Sequence, residues 1–273
     1  MADSQPATIT SIYAARLKPL WEALQSKSEM VMLEQLLRFL AKWRSQILAR
    51  TYIAHQGTTI MQGPFAGMTY LADSTEGALM ARLIGSYESE LHPHIAAIVD
   101  EGLDCVIDVG CAEGYYAVGL ARRYPHLEVH ARDISETARK ACARLAAQNG
   151  VSDRVVIGGE FGAADFAAYA GRRVLVLIDA EGAEMDVLRP DLSPALADMK
   201  LIVETHDVYR PGALATLIER FAPTHDIIRV DQAPKTFEVP PWLSQLSHLD
   251  QVLAAWEWRS KPTPWLVMRP NAG

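Results

Sequence analysis

From residue 105 onward, short β-prone segments alternate with helical ones, and this alternation limits the fold more than any other feature of the chain. The predicted strands are CVIDVG, LEVHARDI, RVVIGG, VLVLIDA, LIVETHD, HDIIRV and PWLVMRP, which begin at residues 105, 127, 154, 174, 201, 225 and 264. Helical segments separate the first six; in one of them, SETARKACARLAAQNG, Ser135 is placed to cap the helix and Asn149-Gly150 to end it. Such alternation predicts a mainly parallel, doubly wound, seven-stranded α/β sheet with helices on both faces.

The region before this alternation has a different pattern. Residues 11–52 carry a broad helical stripe of apolar side chains, Met32, Leu36, Phe39, Leu40, Trp43 and Ile47. Such a stripe needs a partner surface, either the main domain or a second copy of the chain. TTIMQGPFAGMTYL, at 58–71, predicts a short β-hairpin. We therefore expect residues 1–75 to be an N-terminal helical extension plus hairpin, acting in oligomerisation as a homodimer or as a substrate lid, and residues 76–273 to be the α/β domain. The proline-bearing loop 231–248 is a second candidate lid.

Charge and composition exclude some classes of partner. The net charge is −7 over 273 residues, and no lysine occurs between Lys42 and Lys140, which argues against a nucleic-acid substrate. No stretch is long and apolar enough for a membrane helix, and the first residues do not resemble a secretory signal. The cysteines, Cys105, Cys111 and Cys142, have no metal-site spacing and are expected to be free thiols in the cytoplasm.

The segment VIDVGCAEGYYAVGLA, at 106–121, predicts a strand, a glycine-bearing turn and a helix that together hold a ligand. A dinucleotide fingerprint needs a third glycine where this chain has Tyr115, and no lysine follows for a nucleotide-triphosphate loop. A tight connection without a ligand is the alternative. The spacing of Asp108, Gly110, Ala112 and Gly114 resembles the D-x-G-x-G-x-G turn of class I S-adenosylmethionine (SAM)-dependent methyltransferases, with Ala112 in place of the middle glycine.

A second acidic residue supports this interpretation. Asp133 ends the second predicted strand 25 residues after Asp108, where a carboxylate can accept hydrogen bonds from both ribose hydroxyls. Asp108 would face the amino group of the methionine moiety, and Glu160 is a candidate for the adenine amino group, with Asp165 competing. We assign Gly110, Ala112, Gly114, Tyr115 and Ile134 to the same cofactor site.

Three segments indicate a particular family within the class I methyltransferases. LIGSYESELHPHI, VIDVGCAEGYY and LIDAEGAEMDVL together are similar to FkbM-type methyltransferases, over about residues 83–207. The resemblance implies a Rossmann-like fold, with Tyr87 and Glu88 closing over the methionine end of the cofactor and Asp179 and Glu181 at the reaction centre. Where the family often has Ala-Asn after the first glycine of the turn, this chain has Cys111-Ala112.

Acidic residues and a histidine follow the fourth and fifth predicted strands. In one interpretation His206, oriented by an acid, is a general base, with Asp179 and Glu204 as the other catalytic residues. In another, Asp179, Glu204, His206 and Asp207 hold a divalent cation, Mg²⁺, Mn²⁺, Fe²⁺ or Zn²⁺, that lowers the pKa of a substrate hydroxyl. In a third, Glu204 and Asp207 only cap the next helix or pair with Arg210.

The sequence therefore predicts a SAM-dependent methyltransferase acting on a small metabolite or natural product. Oxygen is the expected acceptor atom and an acidic carbon the alternative. A nicotinamide-dependent oxidoreductase is disfavoured by Tyr115. A cofactor-binding scaffold without catalytic activity remains as a rival, and it would not need the acidic cluster.

Overall fold

All seven predicted strands are present in one sheet. A computed structural model describes residues 8–74 and 77–271, and within them the strands are β1 (Cys105–Val109), β2 (Glu128–Arg132), β3 (Val155–Gly158), β4 (Val174–Ile178), β5 (Lys200–Glu204), β6 (His225–Val230) and β7 (Trp265–Pro270). Their order is β3-β2-β1-β4-β5-β7-β6. The pairs β3–β2, β2–β1, β1–β4 and β4–β5 are parallel. Strand β7 pairs antiparallel with both β5 and β6. The predicted mainly parallel, Rossmann-like α/β fold is confirmed.

Helices cover both faces of this sheet. They are α1 (Ile9–Leu24), α2 (Glu29–Gln56), α3 (Leu79–Ile84), α4 (His92–Asp100), α5 (Tyr115–Arg123), α6 (Glu136–Gln148), α7 (Glu184–Val187), α8 (Ala213–Phe221), α9 (Pro241–Ser244) and α10 (His248–Ala254), with 3-10 helices at Ala163–Tyr169 and Pro194–Asp198. In β1, Val106 packs into one apolar cluster and Ile107 into another, as alternating strand residues do when both faces are buried. As predicted, Ser135 caps α6, accepting a hydrogen bond from the N–H of Ala138. None of these helices is long and apolar enough to cross a membrane.

The N-terminal region is partly built into the same core. Its helical pattern is interrupted at 25–28, where Ser28 caps the start of α2. The C-terminal half of α2 packs Leu48 and Tyr52 into the cluster that contains Val106, whereas Leu33 is 62% exposed near its other end. The predicted boundary between residues 75 and 76 lies outside the described residues.

The predicted hairpin is reduced to a single antiparallel bridge between Thr59 and Thr69. The N–H of Ile60 donates to the carbonyl of Met68, but the N–H of Met61 donates to the carbonyl of Leu83 in α3 instead of continuing the pairing. The N–H of Tyr70 donates to the carbonyl of Thr58 and that of Gly67 to the carbonyl of Ile60, so the two arms pair, but the hairpin is short. The interval 231–248 also differs from a simple loop, because it contains α9.

The direction of β7 determines what reaches the carboxyl ends of the parallel strands. Because β7 is antiparallel to β5, it begins where β5 ends, and Trp265 pairs with Glu204. The loop before β7, residues 255–264, is thereby brought to the edge of the sheet at which open α/β sheets bind ligands.

Candidate functional site

The turn after β1 lies directly against the end of β4. Gly110 has φ of +80°, and a Cβ atom built on it would lie 1.8 Å from the backbone oxygen of Asp179. A side chain at this position would push β1 and β4 apart. Gly114 has φ of +90°, and a Cβ there would lie 2.7 Å from Sγ of Cys142 in α6. Packing therefore requires glycine at both positions, whatever the turn binds.

Asp133, just after β2, holds the middle of this turn. Its Oδ2 accepts a hydrogen bond from the N–H of Ala112 at 3.0 Å, and its Oδ1 accepts one from the N–H of Ser135 at 2.7 Å. Ala112 has φ of +48°, a conformation that costs a non-glycine residue about 1–3 kcal/mol, and the bond to Asp133 supports it. Each carboxylate oxygen keeps a second lone pair, so the geometry leaves room for the predicted ribose contact, which stays a prediction.

A small cavity lies between this turn, the end of β4 and the segment after α3. Its volume is about 40 Å³, enough for a few water molecules or one small polar group. Residues predicted from the sequence that line it are Tyr87, Asp108, Gly110, Ala112, Tyr115 and Asp179. The structure therefore brings the segment at 87 and the turn at 110–115 together, although they are far apart in the chain.

Other predicted cofactor residues lie outside this cavity. Ile134 is 83% exposed after β2, and Glu160 is exposed after β3, at the same edge of the sheet. Asp165 accepts a hydrogen bond from the N–H of Gly162 at 2.7 Å and caps the 3-10 helix that follows. Because Asp165 has this structural role, Glu160 is left as the candidate for the adenine side.

Charged residues of both signs border the cavity: Asp108, Asp179 and the buried Glu113 contribute carboxylates and Arg82 a guanidinium, and sequence reasoning missed Glu113 and Arg82. Asp108 is 5% exposed, its Oδ2 has no hydrogen-bond partner among the described residues, and burial raises its pKa to about 7. Arg82, in α3, is 7% exposed and stacks over Tyr87 at 4.5 Å. Nothing in the sequence near Arg82 marks it, because it lies in the apolar segment ALMARLIG. Buried polar atoms without partners are costly, so a polar ligand would stabilise this cavity.

His206 is held by a carboxylate on one side of its ring. Its Nδ1 lies 2.8 Å from Oε1 of Glu184, and the same oxygen accepts the N–H groups of Ala180 at 3.0 Å and Gly182 at 3.2 Å. An ionised Glu184 can only accept, so Nδ1 carries a hydrogen, and in the neutral ring Nε2 keeps its lone pair. Burial lowers the pKa of His206, but the hydrogen bond with Glu184 and the charge of Glu204 outweigh it, and the pKa is raised.

The Nε2 atom of His206 faces three carboxylates. It lies 3.5 Å from Oδ1 of Asp179, 3.7 Å from Oε2 of Glu181 and 3.7 Å from Oε2 of Glu204. Ligand atoms of Asp179, Glu181 and His206 all lie within 4.8 Å of one another, as a divalent-cation site requires. A metal-binding histidine usually has its other nitrogen bound to a carboxylate, as Glu184 provides here. The residues present therefore fit a metal with mixed nitrogen and oxygen ligands.

The structure differs from the predicted ligand set at Asp207. Its two carboxylate oxygens accept the N–H groups of Gly212 at 2.9 Å and Leu214 at 3.1 Å, at the start of α8. Asp207 thus has the capping role that was the structural alternative, and it is outside the three-residue group. Arg210 pairs with Asp186 at 2.7 Å, not with Asp207.

Glu204, the other predicted ligand, is bound to an arginine that sequence reasoning missed. Its Oε1 accepts hydrogen bonds from Nη1 of Arg259 and, at 2.5 Å, from Oγ1 of Thr263. Only its Oε2 faces His206. Glu204 is therefore a neighbour of the three-residue group, and it connects the loop before β7 to the site.

Arg259 also binds Glu88, which is not among the residues that line the small cavity, and the contact with the cofactor that the resemblance implied for Glu88 stays a prediction. Nη2 of Arg259 donates to Oε1 of Glu88, and the hydroxyl of Tyr116 donates to its Oε2 at 2.5 Å. Nε of Arg259 donates to Glu257 at 3.1 Å. Burial, partly offset by Arg259, raises the pKa of Glu88 to about 7. Glu88 has φ of +49°, so this segment is held in a strained conformation by its partners.

A large pocket opens beside Arg259. It has a volume of about 930 Å³ and lies between α2, residues 232–239, and residues 251–262. Apolar side chains, among them Phe237, Val252 and Trp256, form its walls, and Lys235 and Arg259 contribute charged groups. Arg38 of α2 holds this loop by donating to the backbone oxygen of Arg259 at 2.9 Å. Mainly apolar pockets of this size with a few polar groups are typical of small-molecule sites.

Comparison with known proteins gave matches at the level of structure only. No protein-family model matches the chain, and no curated protein is similar to it in sequence. Solved structures that resemble it include methyltransferases. The O-methyltransferase TomG from Streptomyces achromogenes, in complex with SAM, is 14% identical, with a TM-score of 0.42 and all of both chains covered.

Two further structures show the same range of similarity. The human methyltransferase 10 domain containing protein is 10% identical, with a TM-score of 0.46, over 84% of this chain and 97% of that one. A geranyl diphosphate methyltransferase in complex with SAM is 14% identical, with a TM-score of 0.38, over 73% of this chain and 93% of that one. At this level of identity these structures resemble the chain in fold alone, so its function is argued from the residues of its own site.

Proposed function

We propose that this chain is a SAM-dependent methyltransferase of the FkbM type that methylates a hydroxyl oxygen of a small metabolite, assisted by a divalent cation. The observation that carries the proposal is the position of Asp179. It lines the cavity beside the glycine turn, and it belongs to the three-residue group with Glu181 and His206. A ligand in the turn and an acceptor at the group would therefore meet at one carboxylate.

The residues around the turn fit the cofactor. When bound, SAM supplies a methyl group on a sulfonium. Asp108 has an unpaired buried oxygen for the ammonium group of its methionine moiety. Asp133 keeps a lone pair on each oxygen for the ribose hydroxyls, while Ile134 and Glu160 lie exposed where adenine would extend.

The acceptor side fits removal of a hydroxyl proton. Nε2 of His206 is the atom that would ligate a cation or, without one, accept the proton, and Glu184 fixes its tautomer. A cation held by Asp179, Glu181 and His206 would lower the pKa of the acceptor hydroxyl. Positioning of the reactants supplies several powers of ten in rate and a base about 10²–10⁴-fold. The 930 Å³ pocket beside Arg259 has room for a small-molecule acceptor.

Calorimetric titration with S-adenosylhomocysteine (SAH), before and after EDTA, tests the cofactor and the metal together. We expect micromolar binding and about one equivalent of Mg, Mn, Fe or Zn by elemental analysis. SAH binding without any metal would refute the cation and leave His206 as the base. Absence of SAH binding would refute the methyltransferase proposal altogether.

Variants separate the reaction centre from the cofactor site. Asp179→Asn and His206→Gln should lower SAH production from SAM, measured over a panel of phenols and sugars, by about 10²–10⁴-fold. The SAH affinity of His206→Gln should stay within about threefold of wild type, because His206 does not line the cofactor cavity. Asp207→Asn is the matched control, because this carboxylate caps α8, and it should keep both metal and activity. Unchanged SAH production in Asp179→Asn and His206→Gln would refute the roles proposed for these residues, whereas SAH binding without SAH production in any variant or in wild type would favour a cofactor-binding scaffold.

A further inference from the structure

The cationic side chains that line the large pocket beside Arg259 are of two kinds. Two of them are buried and already neutralised by the protein. Lys235 pairs with Glu90 and, at 2.7 Å, with Glu257, and Arg259 pairs with the carboxylates described above. These two cations therefore have no charge left for a ligand to balance.

Arg38 and Lys261 also line the pocket, and their charges are not balanced in this way. Within residues 8–74 and 77–271, no carboxylate oxygen lies within 4.0 Å of their charged nitrogens. Arg38 uses two of its five N–H groups on the backbone oxygens of Trp258 at 2.8 Å and Arg259 at 2.9 Å, and three remain. Lys261 is exposed. In a chain with a net charge of −7, the pocket therefore carries two cations that a ligand could pair with.

A third cation on α2 adds to the positive charge beside the pocket. Lys42 follows Arg38 by one helical turn, and its Nζ lies 4.9 Å from the centre of the Trp258 ring. Burial and the charge of Arg38 both lower the pKa of Lys42. Like charges at this spacing destabilise a helix slightly, so an anion bound here would relieve the repulsion.

The rest of the pocket lining is mainly apolar and continues to the surface. Phe237 and Trp256 are half-buried in its walls, whereas Leu37 is 70% exposed and Val252 is 55% exposed. Exposed apolar side chains that border a pocket are typical of a site for an apolar ligand. The pocket thus combines a large apolar surface with unbalanced positive charge.

We propose that the methyl acceptor is an amphipathic anion, with an apolar body that fills the pocket and an acidic group that binds Arg38 and Lys261. The inference rests on the proposed function, because it takes the occupant of the pocket to be the acceptor. Arg259 binds Glu204 beside the three-residue group, whereas Lys261 is exposed. The acceptor hydroxyl would therefore lie toward Arg259 and the acidic group toward the opening, where the guanidinium of Arg38 can bind a carboxylate through two parallel hydrogen bonds.

The first test uses two fluorophores that differ only in an acidic group. 1-Anilinonaphthalene-8-sulfonate carries a sulfonate, and N-phenyl-1-naphthylamine is the same molecule without it. Fluorescence titration gives both dissociation constants, and their ratio measures the preference for the anion. We expect wild-type protein to bind the sulfonate about tenfold more tightly, as for one hydrogen bond to a charged group. Equal or weaker binding of the sulfonate, or no binding of either compound, would overturn the inference.

Variants assign this preference to the two cations. Lys261→Glu replaces attraction by repulsion and should lower the preference about tenfold, with the neutral compound bound as before. Arg38→Gln should lower it by a similar factor. Lys27→Glu is the matched control, because Lys27 is exposed, the change in net charge is the same and it is not among the lining residues. If Lys261→Glu behaves like Lys27→Glu, the inference is wrong. Should Arg38→Gln fail to fold, Lys261→Glu decides alone.

The acceptor itself is tested with hydroxylated aromatic and aliphatic acids, each beside its primary amide. In wild-type protein the KM for SAH production should be about tenfold lower for the acid than for the amide, with similar kcat, and this difference should disappear in Lys261→Glu. Amides used as well as acids would overturn the inference and leave the methyltransferase proposal intact. If wild-type protein prefers the anionic fluorophore but binds no SAH, the proposed function fails while the preference of the pocket stands.

Discussion

The two sides of the carboxyl edge of the sheet are built in different ways. At the β1–β2 side, Asp133 organises the turn through backbone N–H groups 21 and 2 residues away. At the β4–β5 side, Arg259 joins carboxylates that are 55 and 171 residues away. The β1–β2 side, the proposed cofactor side, is therefore fixed by local backbone geometry, and the β4–β5 side, the proposed acceptor side, by side-chain contacts between distant segments. Substitutions should affect the two sides differently.

The largest effect is expected where the cofactor turn touches β4. Gly110→Ala should lower the free energy of unfolding by at least about 4 kcal/mol or prevent folding, because its Cβ would lie 1.8 Å from a backbone oxygen. Gly171→Ala is the matched control: it has a similar φ, +77°, but nothing within 4 Å, so only about 1–2 kcal/mol of backbone strain applies. Urea unfolding measures both. Equal losses would mean that the contact between the turn and β4 does not restrict position 110.

The acceptor side should depend most on Arg259. Arg259→Met leaves Glu88, Glu204 and Glu257 without their shared cation, and unpairing a buried ion pair typically costs about 3–5 kcal/mol. Arg173→Met, which removes a solvent-exposed pair with Asp104, should have a much smaller effect, because water screens such a pair. Urea unfolding measures the free energy that each variant loses. If the two variants lose similar amounts, the contacts of Arg259 contribute no more than a surface pair.

A smaller effect links pH to cofactor binding at Asp108. Because burial raises its pKa to about 7, above the unfolded value near 3.8, the folded apoprotein binds this proton more tightly, and its stability should fall as pH rises from about 4 to about 7. A bound ammonium group lowers this pKa. SAH affinity should therefore rise with pH below 7, by at most about tenfold per unit.

Calorimetry at pH 6 in buffers of different ionisation enthalpy counts the protons released on SAH binding. Wild-type protein should release a fraction of a proton, and Asp108→Asn none. Proton release that persists in the variant would place the titrating group elsewhere.

The smallest effect on stability is expected at the outer face of α2. Met30 and Leu33 are 71% and 62% exposed, so the double variant Met30→Glu/Leu33→Glu should change the unfolding free energy by less than about 0.5 kcal/mol. If the predicted homodimer forms through this face, light scattering should give twice 30.1 kDa for wild type and a single chain for the variant. A wild-type monomer would contradict that prediction and leave both sides of the site unaffected.

The difference between local contacts and contacts across the chain also explains which features could be predicted from the sequence. The seven strands, the turn at 110–114 and Asp133 were all visible, because each depends on neighbours in the chain. The roles of Arg82 and Arg259 were not, because their partners come together only through the fold. The hairpin at 58–71 forms as predicted but its pairing is short, because the N–H of Met61 pairs with Leu83 and not with the opposite arm.

The position of Arg259, in the loop before β7, also determines the order in which the two sides can form during synthesis. Arg259 follows Glu88 by 171 residues, so a ribosome adding about 5–20 residues per second completes it roughly 10–30 s later. The partners of Asp133 end at Ser135, 124 residues before Arg259, so the β1–β2 contacts are complete in the chain first, whereas Glu88 and Glu204 wait for their cation. The cofactor turn can therefore form on the nascent chain, and the acceptor side is assembled last.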